Sequence, residues 1–312
     1  MPLSASLTAV VVNWNAGDQL RECVASIAAA DLDVQIVVVD NASTDGSLEL
    51  LEVDPRVKII QTGENLGFGR GVNVGLRQAE TPWVACLNPD VVVEPDALGL
   101  AVRYLEANDD VGLVGPRLDG MDGSPLATCG FRPRLSDAIG RKLLLHLVLP
   151  FFRFRRVRPV EPSKVDWVTG AFMVGRRDAL TNQGGFDEAI FMYFEDLDLC
   201  LRLASAGWSV HYVPDVRGRH VGGHSSSQAF DRMLVASDRS YRFFTDRHLG
   251  HTSARLLSLL TPIELVIRSI GWIVAGILPS QRPGAKSRLR AYRTLMFENL
   301  SLSADRFRGS AL

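Results

Sequence analysis

An α/β fold, with a doubly wound, mostly parallel sheet and a C-terminal helical extension, is what this chain predicts. Two observations predict the sheet. β-branched runs alternate with helical spacing through residues 1–117, and polar clusters close three of those runs. The extension follows from an apolar stretch and a basic tail beyond residue 249. Continuous β-branched runs separated by helices mean strands covered on both faces, hence a parallel sheet.

The elements follow in order. Residues 7–12 form an apolar β run, and 18–30 carry helical spacing at Leu20, Cys23, Val24 and Ile27. Strands are expected at 34–39, 57–61, 83–87 and 111–114. Helices are expected at 47–52, 68–78 and 95–108. The expected organisation is an α/β half over 1–117, a second half of the same domain over 118–248, and a helical extension over 249–312.

The chain has 312 residues, 46% of them hydrophobic. That length buries a large core, as one domain or as a domain with an appendage. A net charge of −1 hides an asymmetry. Residues 1–130 carry 7 basic and 19 acidic side chains, whereas 131–164 carry 9 and 2. The basic segment expects an anionic partner, and a phosphate-rich membrane surface is one candidate. No nucleic-acid partner is expected. Cys23, Cys86, Cys129 and Cys200 are scattered without a CxxC pair, so neither a disulfide framework nor a zinc site is expected. The first apolar run follows Met1 too closely for a signal peptide, so a cytoplasmic location is expected.

In open α/β sheets, ligands bind at the carboxyl ends of the strands. Asn13-Trp14-Asn15 follows the first strand, Asp40 through Gly46 the second, and Asn88-Pro89-Asp90 the fourth. Each alone reads equally as turn chemistry, but three on one edge favour a site. The Asp90 carboxylate is a hard oxygen ligand of the kind Mg²⁺ or Mn²⁺ prefers. No G-x-G-x-x-G follows the first strand. The glycines of Gly67-Phe68-Gly69-Arg70-Gly71 serve either close packing or a phosphate approach.

Two further clusters carry chemistry. Phe191-Met192-Tyr193-Phe194 precedes Glu195, Asp196 and Asp198 at a helix start. Capping accounts for one acid, and a carboxylate beside apolar surface has the raised pKa of a general base. Arg219-His220-Val221-Gly222-Gly223-His224 follows a strand-like run, and its histidine is either structural or a ligand beside Asp90.

Two segments suit a membrane interface. Residues 143–152 are apolar and flanked by Arg141, Lys142, Arg153, Arg155, Arg156 and Arg158. The other reading is a basic loop over a core segment. In the second segment, 256–278, Thr261-Pro262-Ile263-Glu264 reads as a capping box with proline at the first helical position. A helix starting at Pro262 spans about 24 Å, short of the roughly 30 Å hydrocarbon core. It therefore lies in the interface or packs in a homo-oligomer. Arg282, Lys286, Arg288, Arg290 and Arg293 would meet anionic headgroups. Peripheral membrane contact is expected through 141–158 and 256–293.

In their order and wording, these motifs resemble one family. Val11-Val12-Asn13-Trp14-Asn15, Val38 through Gly46, Asn65-Leu66-Gly67-Phe68-Gly69 with Asn73, and Leu87-Asn88-Pro89-Asp90 come first. Gly170-Ala171-Phe172-Met173, Gly184 through Glu188, Phe194 through Leu199, and His220 follow. Over residues 7–225 the chain resembles the inverting family 2 glycosyltransferases of GT-A fold, in their rhamnosyltransferase-like branch.

The resemblance implies roles. Asp40 would hold the uracil or thymine base, with Asn13 and Asn15 nearby. Asp45, Asn65, Gly67, Asn73 and Asn88 would line the nucleotide-sugar site. Asp90 and His220 would bind a divalent cation, Mg²⁺ or Mn²⁺, at the diphosphate. Asn88 stands where many members carry the first acid of Asp-x-Asp. Gly170, Ala171 and Asp187 would face the acceptor, with Asp196 as the base and Glu195 beside it. The implied reaction transfers a sugar, L-rhamnose from a dTDP-sugar, onto a glycan or polyprenyl-diphosphate-linked acceptor in cell-envelope polysaccharide synthesis. Transfer from UDP-galactofuranose or another UDP-sugar, or sugar-nucleotide binding without turnover, are the alternatives. The chain would work at the inner face of the cell membrane.

Overall fold

A computed structural model describes residues 7–149, 151, 155–221 and 230–309. The chain divides into two compact units, Met1–Arg132 with Arg155–Ser225, and Pro133–Phe154 with Ser226–Leu312.

In the first unit, strands run β1 (Leu7–Asn13), β2 (Val34–Asp40), β3 (Val57–Gln61), β4 (Trp83–Leu87), β5 (Val91–Val93) and β6 (Val111–Asp119). Short strands β7 (Cys129–Gly130), β8 (Arg156–Val157), β9 (Ser163–Val165) and β10 (Trp167–Val168) precede β11 (Phe172–Arg176) and β12 (Ser209–His220). The large sheet has the order β3-β2-β1-β4-β11-β6-β12-β5, with β9 on β12, and β10-β7-β8 form a small second sheet. β3, β2, β1 and β4 are mutually parallel, as are β6 and β12. Only β11, β5 and β9 run antiparallel to their neighbours in this sheet.

The period-2 alternation of each strand supplies two cores. Leu7, Ala9 and Val11 of β1 face α1 (Asp18–Ala28) and α3 (Ala97–Ala107). Val10 and Val12 face α2 (Phe68–Leu76), α5 (Arg177–Asn182) and α6 (Glu195–Ser205). Every residue of β1 and β4 is buried, as a parallel strand covered on both faces requires. All four cysteines are buried and free within this packing. At Gly75 an added Cβ would stand 2.3 Å from Val10 Cγ1, so the glycines of α2 let it press onto β1.

Residues 47–52 form turns, not the expected helix. Asp45 and Asn13 draw Ser47 into the β2 loop through its backbone N–H and hydroxyl, competing with helical bonding.

The second unit contains α4 (Leu135–Lys142), α7 (Phe230–Leu249), α8 (His251–Ala275) and α9 (Arg282–Gly309). It therefore begins at residue 226 and recruits 133–154, where the sequence suggested a boundary at 249. Lys142 is the reason. Expected on the surface as part of a basic flank, it is 3% exposed and meets Glu264 Oε2 at 2.9 Å and Asp238 Oδ1 at 3.5 Å. Pro150 and residues 152–154 lie outside the described residues, as do Gly222 through Gln228 and Ala229.

Helix α8 corrects the capping-box reading. It starts at His251 and carries Pro262 in its interior. Proline removes the N–H that would bond the Ser258 carbonyl. Asn299 of α9 supplies the replacement, donating Nδ2 to Ser258 O at 3.2 Å. With 25 residues the helix is about 37 Å long, so shortness no longer argues against spanning. Its exposed apolar residues, among them Leu259, Ile263, Val266, Ile270, Ile273 and Val274, occupy one side. At about 100° per residue they fall within roughly 120° of the circumference.

Asn299→Leu should cost about 1–3 kcal/mol by leaving the Ser258 carbonyl unpaired. Adding Pro262→Ala should recover much of that loss, because alanine at that position restores the N–H. Denaturant unfolding of the two single variants and the double variant reads the coupling.

Candidate active site

The carboxyl edge of the sheet gathers the polar clusters. Asn13 pairs in register with Asp40, and Val11 with Leu87, so the loops after β1, β2 and β4 emerge side by side. The Asn13 amide Nδ2 donates to Asp40 Oδ1 at 2.8 Å, Ser47 Oγ at 2.9 Å and Ser43 Oγ at 3.0 Å. Asn13 is wholly buried, and its Oδ1 lacks a hydrogen-bond partner. Asp40 Oδ2 accepts from Ser43 N at 3.1 Å. Above this pair, Asn15 has φ of 50° and its Oδ1 accepts from Thr44 N at 2.8 Å. Burial raises the Asp45 carboxyl, but hydrogen bonds from Ser47 and Gly17 outweigh it and hold that carboxyl below the usual range.

Residues before and within α2 close the far side. Asn65 Oδ1 accepts from Gly67 N at 3.0 Å, and Asn41 Nδ2 donates to Gly67 O at 3.0 Å. Gly67 has φ of 81°, and an added Cβ would stand 2.0 Å from the Phe191 carbonyl oxygen. Only glycine fits there. Asn73 is 5% exposed and spans the next loop: its Nδ2 donates to Phe186 O and its Oδ1 accepts from Phe186 N, both at 2.8 Å. Asp187 Oδ1 accepts from Ala189 N at 2.9 Å in the same loop.

The fourth strand joins this edge to the acids. Asn88 N donates to Ala171 O at 2.9 Å, and Gly170 N donates to Asp196 Oδ2 at 2.9 Å. β12 runs antiparallel to β5 with His220 opposite Val91, which places His220 Nε2 3.1 Å from Asp90 Oδ1. The sequence elements at 88–90, 170–171, 195–196 and 220 thus converge. Val221 N also donates to Asp90 O at 3.1 Å.

Asp196 and Glu195 sit at the start of α6, after Tyr193 and Phe194 with φ of 67° and 68°. Two bulky residues in the left-handed region cost about 1–3 kcal/mol each, strain found where a site needs it. Burial raises the Asp196 carboxyl, opposed by the Gly170 and Leu197 N–H groups and by the Arg156 charge. Burial, then the Asp196 charge, pushes Glu195 up to about 8. Glu195 Oε2 is buried without a hydrogen-bond partner. Both carboxyls are raised by burial, but both oxygens of Asp196 accept backbone N–H groups, which favour its charged form, whereas Glu195 Oε2 has no such partner.

Asp198 differs from its two neighbours. It is fully buried and bound by Arg202 Nε at 2.7 Å, while Arg202 also donates to Gln183 O and Gly185 O at 2.8 Å. It anchors the 183–188 loop. Asn41 and Ser43 lie inside the Asp40–Gly46 cluster without a role of their own in the sequence reading, and Ser47, one residue beyond it, reads there as part of a helix.

Asp90 and His220 offer one oxygen and one nitrogen donor to a divalent cation. No group of three or more His, Cys, Asp or Glu stands together among the described residues. That set fits a cation shared with substrate phosphates rather than one caged by protein alone.

Known proteins share this chain's sequence family and its fold. The family described as Glycosyltransferase like family 2 matches residues 5–235. The N-acetylglucosaminyl-diphospho-decaprenol L-rhamnosyltransferase of Mycobacterium tuberculosis is 33% identical over 291 residues, covering 84% of this chain and 93% of its own. Rhamnosyltransferase WbbL of Escherichia coli is 28% identical over 234 residues, 72% of this chain and 86% of its own. Among solved structures, the mannosyltransferase PcManGT from Pyrobaculum calidifontis, in complex with GDP-Man and Mn²⁺, superposes with TM-score 0.56. It is 18% identical and covers 95% of this chain and 87% of its own, a likeness that shows the fold.

The raised Glu195 carboxyl has a sign. The native state holds a proton that the unfolded chain releases near 4.5, so stability present below that pH is lost as pH rises through about 8. Glu195→Gln should therefore flatten the pH dependence of unfolding by up to about 1.4 kcal/mol per pH unit across that window. Urea melts of both proteins at stepped pH measure it.

Proposed function

The chain belongs to glycosyltransferase family 2, and on that premise we propose that it transfers L-rhamnose, with inversion, from a dTDP-sugar to a polyprenyl-diphosphate-linked glycan. The convergence of Asp196 with the Asp90–His220 pair at one sheet edge carries this reading. The sugar and the lipid-linked acceptor rest on the names of the mycobacterial and Escherichia coli relatives.

Asp40, Asn15 and Asp45 frame the nucleobase, and Asn13 holds Asp40 from beneath. Asn65, Gly67 and Asn88 line the donor, while Asn73 positions the loop that carries Asp187 on the acceptor side. A divalent cation on Asp90 and His220 would neutralise charge gathering on the departing diphosphate. Asp196 takes the proton of the acceptor hydroxyl as its oxygen bonds to the anomeric carbon. The bond from that carbon to the diphosphate breaks with its electron pair, so one base suffices and no covalent enzyme intermediate forms. Gly170 N–H fixes the carboxylate on the acceptor side, where Gly170, lacking a Cβ, packs closely against Phe68 and Asp196, with Ala171 beside it. Neutral Glu195 spares Asp196 a second adjacent charge. The exposed apolar side of α8 would hold the chain peripherally at the inner membrane face, beside a lipid-linked acceptor.

Asp196→Asn should lower transfer about 10²–10⁴-fold while leaving donor affinity intact. Transfer at the native rate by this variant would reject the assigned base. Asp90→Ala should abolish the gain in donor affinity that Mg²⁺ or Mn²⁺ gives in calorimetry. A panel of dTDP-, UDP- and GDP-sugars, read by metal-dependent hydrolysis, tests the donor.

A further inference from the structure

The small sheet β10-β7-β8 brings a cation to the base. In its register Trp167 stands opposite Gly130, and Gly130 opposite Arg156. Residues paired across an antiparallel ladder share a face, and alternate residues take opposite faces. Cys129 and Val168 are wholly buried in the core, so Gly130, Arg156 and Trp167 take the outer face. An added Cβ at Gly130 would stand 3.0 Å from both Cζ2 and Nε1 of Trp167. The indole thus lies over the glycine, on the way from β10 to β8. Its Nε1 donates to Phe131 O at 3.2 Å.

β10 ties this sheet to α6. Cys200 Sγ donates to Val168 O at 3.9 Å, and two residues beyond β10 Gly170 N holds Asp196 Oδ2. Arg156 is exposed, and its charge reaches Asp196 and favours the carboxylate. It does so at a distance. Among the described residues the Arg156 guanidinium has neither an ion pair nor a hydrogen bond. Its neighbour Arg155 is engaged elsewhere, 4.8 Å over the Phe131 ring. A guanidinium is a planar fork that matches phosphate oxygens, and this one is open to them.

Inversion fixes which phosphate that is. The base lies on the face of the anomeric carbon opposite the departing diphosphate, so a cation beside the base stands on the acceptor side. The donor diphosphate has its own partners in Asp90, His220 and the cation they would hold. The gap between Arg156 and Asp196 leaves room for the sugar that separates the attacking hydroxyl from the acceptor's own diphosphate.

We propose that Arg156 binds the diphosphate of the lipid-linked acceptor and so selects acceptors that carry one. The inference rests on the proposed function, with Asp196 as the base. It takes Arg156 out of the membrane-facing basic flank in which the sequence places it.

Calorimetry of the full chain in EDTA, with no cation on Asp90 and His220, uses geranyl diphosphate as the probe. Arg156→Gln should bind it about tenfold more weakly, and Arg155→Gln within about twofold of the native chain. Equal losses in both variants would mean a diffuse basic surface and would overturn the site. No loss in either, or no binding by the native chain, would overturn it as well. Affinity for dTDP should be equal in all three. Weaker dTDP binding by Arg156→Gln would put the arginine on the donor and overturn the assignment.

Transfer kinetics separate binding from tuning of the base. The test acceptor, N-acetylglucosamine on a decyl diphosphate, follows the name of the mycobacterial relative. Arg156→Gln should raise its KM about tenfold at unchanged kcat. With the plain decyl glycoside of the same sugar, the variant should change neither constant. A fall in kcat shared by both acceptors, with a shifted pH profile, would make Arg156 a tuner of Asp196 alone and overturn the proposal. No transfer by the native chain to either acceptor would count against the proposed function, whereas the calorimetry judges Arg156 without it.

Discussion

The antiparallel entry of β11 between β4 and β6 is the constraint on which the site depends. Running against β4, it begins where β4 ends, so Gly170 and Ala171 lie beside Asn88. A parallel strand there would start at the opposite edge of the sheet and carry the Gly170 contact to Asp196 away from the loops after β1 and β2. β5 repeats the device on β12, reversing direction so that His220 meets Asp90. Two reversals in a mostly parallel sheet bring residues far apart in the chain to one edge.

That edge separates charge by environment rather than by distance. Asp196 and Glu195 are chain neighbours at one helix start. Backbone N–H groups at Gly170 and Leu197 solvate Asp196 in place of water, while Glu195 Oε2 is buried without a partner. Two ionised carboxylates side by side would repel, and burial of one resolves the conflict. The left-handed turn at Tyr193 and Phe194 delivers the chain to this geometry, and Phe191 pressed over Gly67 locks it against the start of α2. The strain and the glycine belong to the same joint.

The helical unit answers a different problem. Lys142, Asp238, Glu264, Arg242 and Arg268 are drawn into one ion network, while large apolar side chains of α8 stay exposed. A soluble bundle would invert that arrangement, because unpaired burial of charge is costly and exposed isoleucine and valine forgo transfer free energy. The inversion is coherent if the exposed side meets lipid. Asn299 shows the same economy at Pro262, satisfying from a second helix the carbonyl that the proline strands.

The α/β order, the parallel strands and the three polar loops were legible because each depends on local periodicity and on where a strand ends. An unbroken run such as Leu7–Asn13 announces burial on both faces. Asn88-Pro89-Asp90, Glu195-Asp196 and His220 stand out as polar groups placed against apolar chain. Residues 47–52 read as a helix because the partners that unwind them, Asn13 and Asp45, are distant in sequence or hidden in a turn. Pro262 looks like a helix start because only Asn299, 37 positions on, makes it tolerable inside one. By itself the sequence determined which polar side chains stand against apolar chain and which faces are apolar, since those follow from residue type and spacing. Tertiary structure alone decided which acid is bound by backbone donors, which asparagines brace loops, and that Lys142 is buried, since each depends on partners brought in from elsewhere in the chain.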